Sequence, residues 1–125
     1  MKRRILTAVY CIGLAAAITS AAEKLPTQFD RGYPPQLPHA EAETYRRVDD
    51  VELKLYVHKP ADWQAGDQRS AIVFFFGGGW SNGSPAQFRY QCEFLASRGM
   101  VAVTADYRLA SRHQVKAVEC VRDAA

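Results

Sequence analysis

The sequence predicts an α/β fold in which buried strands alternate with crossover helices. Three observations predict it. Ala71–Phe76 (AIVFFF) and Met100–Ala105 (MVAVTA) are unbroken apolar runs, the pattern of strands covered on both faces within a parallel sheet. Between them Phe88, Cys92, Leu95 and Ala96 fall at helical spacing and form an apolar stripe. Ahead of them Val51, Leu53, Leu55 and Val57 alternate with Glu52, Lys54, Tyr56 and His58, the period of a half-buried strand. The order is strand pair, buried strand, helix, buried strand, helix. It reads as the opening of a doubly wound sheet, with the two buried strands parallel and the helix a right-handed crossover.

Each element has its own signals. Lys2, Arg3 and Arg4 precede an uncharged stretch, Ile5–Ile18, and then the small residues Thr19–Ala22. Basic, apolar, small-residue order marks a secretory signal over 1–22, with Cys11 lost alongside it. The alternative is an uncleaved anchor, but the stretch falls short of the about 20 apolar residues that span a bilayer, so no stable membrane anchor is expected after cleavage. Residues 23–43 hold Pro26, Pro34, Pro35 and Pro38, four of the 6 prolines. At that density neither a helix nor a central strand forms, and an extended arm is expected, lying on the domain or mobile. The folded unit is assigned to 44–125. Thr44–Val48 pairs with the alternating strand across an Asp49-Asp50 turn, Lys59-Pro60 stops the hairpin, and 61–70 is a polar loop. Ser84-Pro85-Ala86-Gln87 supplies an N-cap, a proline at the first helical position and a capping-box glutamine. Arg98-Gly99 ends that helix. Val115, Val118 and Val121 mark another from about Gln114.

Charge excludes one class of partner. The signal carries three of the 16 Lys and Arg and none of the 13 Asp and Glu, so the remainder is neutral. The sequence pI of about 8.9 therefore belongs to the export signal, and no nucleic-acid partner is expected. No metal-ligand spacing occurs among His, Cys, Asp and Glu, and no cofactor is implied.

The segment that carries chemistry is Phe74–Pro85, FFFGGGWSNGSP. A buried strand delivers three glycines at its C-terminal end, where α/β sheets place ligands. Without Cβ atoms the backbone takes unusual angles and lets a substrate atom approach its N–H groups. Such donors, converging on one point, stabilise the oxyanion of a tetrahedral intermediate. A plain tight turn is the structural alternative for Gly77-Gly78-Gly79. A phosphate loop is a third reading, but Asn82 spoils G-x-G-x-x-G and no Walker lysine follows. Gly79-Trp80-Ser81-Asn82-Gly83 spells the G-x-S-x-G of a nucleophile elbow, yet the elbow needs a strand that turns at once into a helix. Ser84-Pro85 delays the helix past Ser81, so Ser81 is not assigned as nucleophile.

Phe76-Gly77-Gly78-Gly79-Trp80 resembles the HGGG[FW] loop of the hormone-sensitive-lipase-like esterases of the α/β-hydrolase superfamily. Asp106-Tyr107-Arg108-Leu109-Ala110 resembles the DYRLA segment after the family's next strand, at the family's separation. The resemblance implies the N-terminal portion of a three-layer α/β-hydrolase sandwich, an antiparallel hairpin followed by parallel strands with crossover helices. It implies a carboxylic-ester hydrolase acting on small-molecule esters, with a non-catalytic binding module on the same scaffold as the alternative; the export signal over 1–22 makes the enzyme an exported one and adds carbohydrate esters as candidate substrates. Gly78 and Gly79 would donate backbone N–H groups to the oxyanion, Gly77 would shape the turn, and Trp80 would line the substrate pocket. Asp106 and Arg108 would brace the loop, a surface ion pair being the alternative for them. Phe76 stands where the family has a histidine that organises the loop.

In this superfamily nucleophile, acid and base follow the oxyanion loop in the order serine, acid, histidine. His39 and His58 precede the loop and are expected to face solvent, while His113, just after DYRLA, suits a helix start. The nucleophile, acid and base are therefore expected outside this chain, the helix at its end reads as cut short, and the isolated segment is expected to be inactive and poorly stable. The family topology returns the strand after the loop to the hairpin's side, which puts the two crossovers on opposite faces. Cys92 and Cys120 would then be buried thiols separated by the sheet.

Overall fold

The computed structural model describes residues 32–125; the signal over 1–22 and the first part of the arm lie outside them. Four strands form one sheet in the order β1-β2-β4-β3. β1 (Glu41–Val48) and β2 (Val51–His58) make the antiparallel hairpin. Asp49 turns it at φ 52, a left-handed angle that aspartate tolerates. β3 (Ala71–Phe75) lies parallel to β4 (Val101–Ala105). β4 sits beside β2, antiparallel, with Leu55 opposite Ala105 and His58 opposite Ala102. The strand after the glycine loop has thus returned to the hairpin's side, as the resemblance implied.

Connections follow the sequence signals closely. A 3-10 helix, Pro85–Phe88, leads into α1 (Arg89–Ser97). Ser84 caps it, accepting from the Ala86 amide at 3.3 Å. Gly99, at φ 86, closes α1: its amide reaches Ala96 O and the Met100 amide reaches Leu95 O, the paired bonds of a glycine C-cap. The helix expected from about Gln114 is α3 (Ala117–Ala124), and a separate short helix, α2 (Ala110–His113), precedes it. Gln114 itself is left-handed, at φ 55, and its break lets the chain turn between them. β1 begins at Glu41, three residues before the sequence boundary. The described part of the arm ahead of it is packed down, with Leu37 buried against Tyr56 and Ala86.

Coverage of the sheet is uneven. β4 is buried on both faces, as its apolar run predicts, but β3 is not. Ile72 and Phe74 are half-buried, Phe74 stacking on Phe88 at 4.8 Å. Val73 and Phe75 on the other face are 50% and 47% exposed. The run encodes two apolar faces, and among the described residues only the α1 face of β3 is covered.

Three polar groups organise the interior. Arg108 meets Asp123 of α3 through two side-chain bonds, Nε–Oδ2 at 2.8 Å and Nη2–Oδ1 at 2.9 Å. The Arg108 amide adds a third at 3.1 Å. The pair is almost wholly buried. Tyr45, the unpaired residue of a bulge in β1, donates its hydroxyl to Asp106 O and Asp123 O. Burial first, then the charges of Asp123 and Asp106, push that hydroxyl up to about 12. His58 contradicts its expected solvent exposure. It is 1% exposed with Nε2 unpartnered, because its side of β2 lies on the row shared with Ala102. His39 is exposed. Cys92 and Cys120 are free and buried, and burial pushes the Cys92 thiol up to about 12.

Two predictions follow from these groups. Asp123→Ala leaves the Arg108 guanidinium without its carboxylate and should cost about 3 kcal/mol in urea unfolding. The Arg108→Ala, Asp123→Ala double variant should lose less than the sum of the singles. Burial holds the His58 pKa below its ordinary 6.5. The unfolded chain then binds more protons in the window beneath that value, so stability falls as pH drops through it. His58→Leu should flatten this part of the stability–pH curve, and an unchanged slope would contradict the assignment.

Candidate active site

The glycine loop leaves β3 at Phe76, which is buried and stacked on Tyr107 with ring centroids 4.2 Å apart. The Tyr107 hydroxyl donates to Phe76 O. The Gly77 amide donates to Gln87 Oε1 at 2.6 Å. Gly78 O accepts from the Ser81 and Asn82 amides, both at 3.2 Å. Among the described residues no acceptor takes the Gly78 or Gly79 amides. Because a trans peptide sets its C=O and N–H in opposite directions, the Gly79 N–H points away from the Ser81–Asn82 turn that holds Gly78 O. The far side of the loop is fixed by α2, whose Ala110 amide reaches Trp80 O at 3.0 Å and whose Ser111 amide reaches Ser81 O at 3.3 Å.

Glycine is required here by contact as well as by angle. A Cβ on Gly78, at φ 148, would lie 1.8 Å from Asn82 O. Gly79, at φ 61, has open space around its missing Cβ. Trp80 follows at φ 57, an angle rare for a bulky residue. Gly77, Gly78, Gly79 and Trp80 line a cavity of about 300 Å³ together with Phe76, Tyr107 and Cys120. The cavity opens at the C-terminal end of β3, where α/β sheets hold ligands.

The remaining sequence candidates sit around this cavity rather than in it. Asp106 and Arg108 make no hydrogen bond to residues 77–80 among those described. Asp106 is buried, takes the Tyr33 hydroxyl at 2.8 Å and the Tyr107 amide at 2.9 Å, and lies 4.0 Å from Arg112. Burial raises its carboxyl above the usual value, against the Tyr33 hydroxyl and the Arg112 charge, which lower it. Arg108 turns away from the loop to Asp123. Their side chains tie down the arm and α3, and the loop's own supports are Gln87, Tyr107 and the α2 amides. Gln87 reads in sequence as a capping-box residue, but its side chain crosses to Gly77 instead. No local pattern announces a bond across ten residues between a loop and a 3-10 helix. Ser81 lies inside the turn, with the 3-10 helix starting only at Pro85. His113 accepts the Leu109 amide through Nδ1 at 2.9 Å, capping α2. Among the described residues no group of three or more His, Cys, Asp or Glu could hold a metal ion, and no helix is long and apolar enough to cross a membrane.

This sheet order and loop define the N-terminal portion of an α/β-hydrolase fold. Solved structures support that placement. The chain is 66% identical to an esterase from Thermogutta terrifontis solved with propionate, at a TM-score of 0.72, covering 74% of this chain and 34% of that one. The butyrate-bound form gives 65% identity and a TM-score of 0.73, covering 75% and 34%. The same esterase phosphorylated by paraoxon gives 66% and 0.72, covering 74% and 36%. An acetylcholinesterase from Trittame loki is 33% identical over 90 residues, 71% of this chain and 16% of that protein. No protein-family profile matches the chain. The chain thus spans about a third of the length of the solved esterases, and its likeness to them is of an esterase, α/β-hydrolase type.

The loop geometry predicts an asymmetry. Gly78→Ala should collapse the turn, because its Cβ would overlap the Asn82 carbonyl. Gly79→Ala meets no atom and should cost only the left-handed backbone term, about 1–2 kcal/mol. Thermal melting of the two variants, side by side, checks the order.

Proposed function

We propose that this chain supplies the oxyanion-binding part of a serine-type carboxylic-ester hydrolase. One observation carries the reading: Gly78 and Gly79 face a cavity at the tip of a core strand with amides that no acceptor among the described residues takes. In acyl transfer the attacked carbonyl oxygen becomes negative, and preorganised amides stabilise it most in the transition state. Losing one such donor typically costs ~3–4 kcal/mol of that stabilisation. Gly77 shapes the turn and Trp80 lines the substrate pocket. The nucleophile, acid and base are assigned outside residues 1–125.

The likeness to an esterase that binds propionate and butyrate supports a short acyl group as substrate, and a cavity of about 300 Å³ suits one. The hormone-sensitive-lipase-like pattern of the loop and the DYRLA segment supports that subfamily. The basic, apolar, small-residue order of 1–22 supports export, to the periplasm or outside the cell. Acylated carbohydrates are then natural substrates to try.

The protein, expressed at the length of its esterase relatives, should hydrolyse p-nitrophenyl propionate. Ser81→Ala should keep most of that activity. Abolished turnover by a folded Ser81→Ala protein would move the nucleophile into this loop, and absence of turnover in the unmodified protein would favour a binding module.

A further inference from the structure

We propose that Gln87 is a positioning residue for the oxyanion loop, setting the Phe76–Gly77 peptide plane from which the Gly78 and Gly79 amides take their direction. The inference deepens the reading of those amides as oxyanion donors and rests on it. Three consecutive glycines carry no Cβ to hinder rotation of the peptide units between them. Left alone, such a loop populates several orientations, and only some aim two amides at one point. The structure fixes the plane at both of its polar ends. Its carbonyl, on Phe76, takes the Tyr107 hydroxyl, and its N–H, on Gly77, is held by Gln87 Oε1 at 2.6 Å. Next along, the Gly78–Gly79 plane is fixed by the two amides on Gly78 O. With the planes on either side held, the intervening Gly77–Gly78 unit has little freedom left.

Gln87 can act as a fixed post because its own helix is anchored. Pro85 and Ala86 are buried. Thr104 Oγ1 in β4 donates to Pro85 O at 3.1 Å, and Ser84 Oγ donates to Gly32 O at 2.9 Å. The glutamine amide is neutral, so it supplies an acceptor for Gly77 without setting a negative charge beside the amides that would face an oxyanion. It is also the only side chain that accepts from residues 77–79 among those described.

The test uses the protein at the length of its esterase relatives, with Gln87→Met and Gln87→Glu. Methionine keeps the length and removes the acceptor. Glutamate keeps the acceptor and adds charge. For Gln87→Met the expectation is a kcat for p-nitrophenyl propionate reduced about tenfold or more with KM little changed. Exchange of the Gly77 amide should accelerate while β4 amides stay protected. Gln87→Glu should restore Gly77 protection. An unchanged kcat, unchanged Gly77 exchange, or loss of β4 protection in step with Gly77 would each overturn the positioning role. If the unmodified protein fails to turn over the ester, it is the proposed function that falls, and Gly77 exchange still decides whether Gln87 holds the loop.

Discussion

Four consecutive residues at the end of β4 each reach a different part of the molecule, and the site depends on their staying in register. Asp106 takes the Tyr33 hydroxyl of the arm. Tyr107 stacks on Phe76 and bonds its carbonyl. Arg108 grips Asp123 of α3. Leu109 is fully buried, and its amide goes to His113 at the cap of α2. A charged pair and a raised carboxyl in so small an interior are costly to desolvate. Their value is directional: each bond has one geometry, so arm, loop and helices are set against one another rather than merely gathered.

The fold was legible where one physical requirement acts on many residues at once. Burial of β4 on both faces demands an unbroken apolar run, and half-burial of β2 demands alternation, so both strands are visible in the sequence. Asp49 and Gly99 mark turns because their backbone angles restrict the residues that fit. The stretch after DYRLA was legible in part: Val115, Val118 and Val121 mark α3, but no apolar period announces the one-turn α2 ahead of Gln114. His58 misled for a related reason. Alternation places it on one side of a strand, but only the antiparallel neighbour β4 and helix α1 decide that this side is interior.

The site was legible in its backbone and much less so in its supports. A triple glycine after a core strand states what the chain can do, because only that residue fits beside Asn82 O at Gly78. Asp106 and Arg108 follow the loop in a recognisable segment, so sequence suggests that they serve it directly. The structure gives them other partners, Tyr33 and Asp123, both distant along the chain. Gln87 carries the opposite lesson: a residue with a complete local explanation, the capping box, spends its side chain on a distant amide.

The uncovered side of β3 has a consequence for how this part of the molecule is handled in a cell. Val73 and Phe75 lie open, as does Val121 of α3, and among the described residues β3 is the last strand of the sheet. Oily side chains next to free main-chain donors and acceptors attract any other extended chain. Until it is covered, that side can pair with another extended chain. The time spent uncovered then becomes a kinetic hazard, separate from the equilibrium stability of the finished fold.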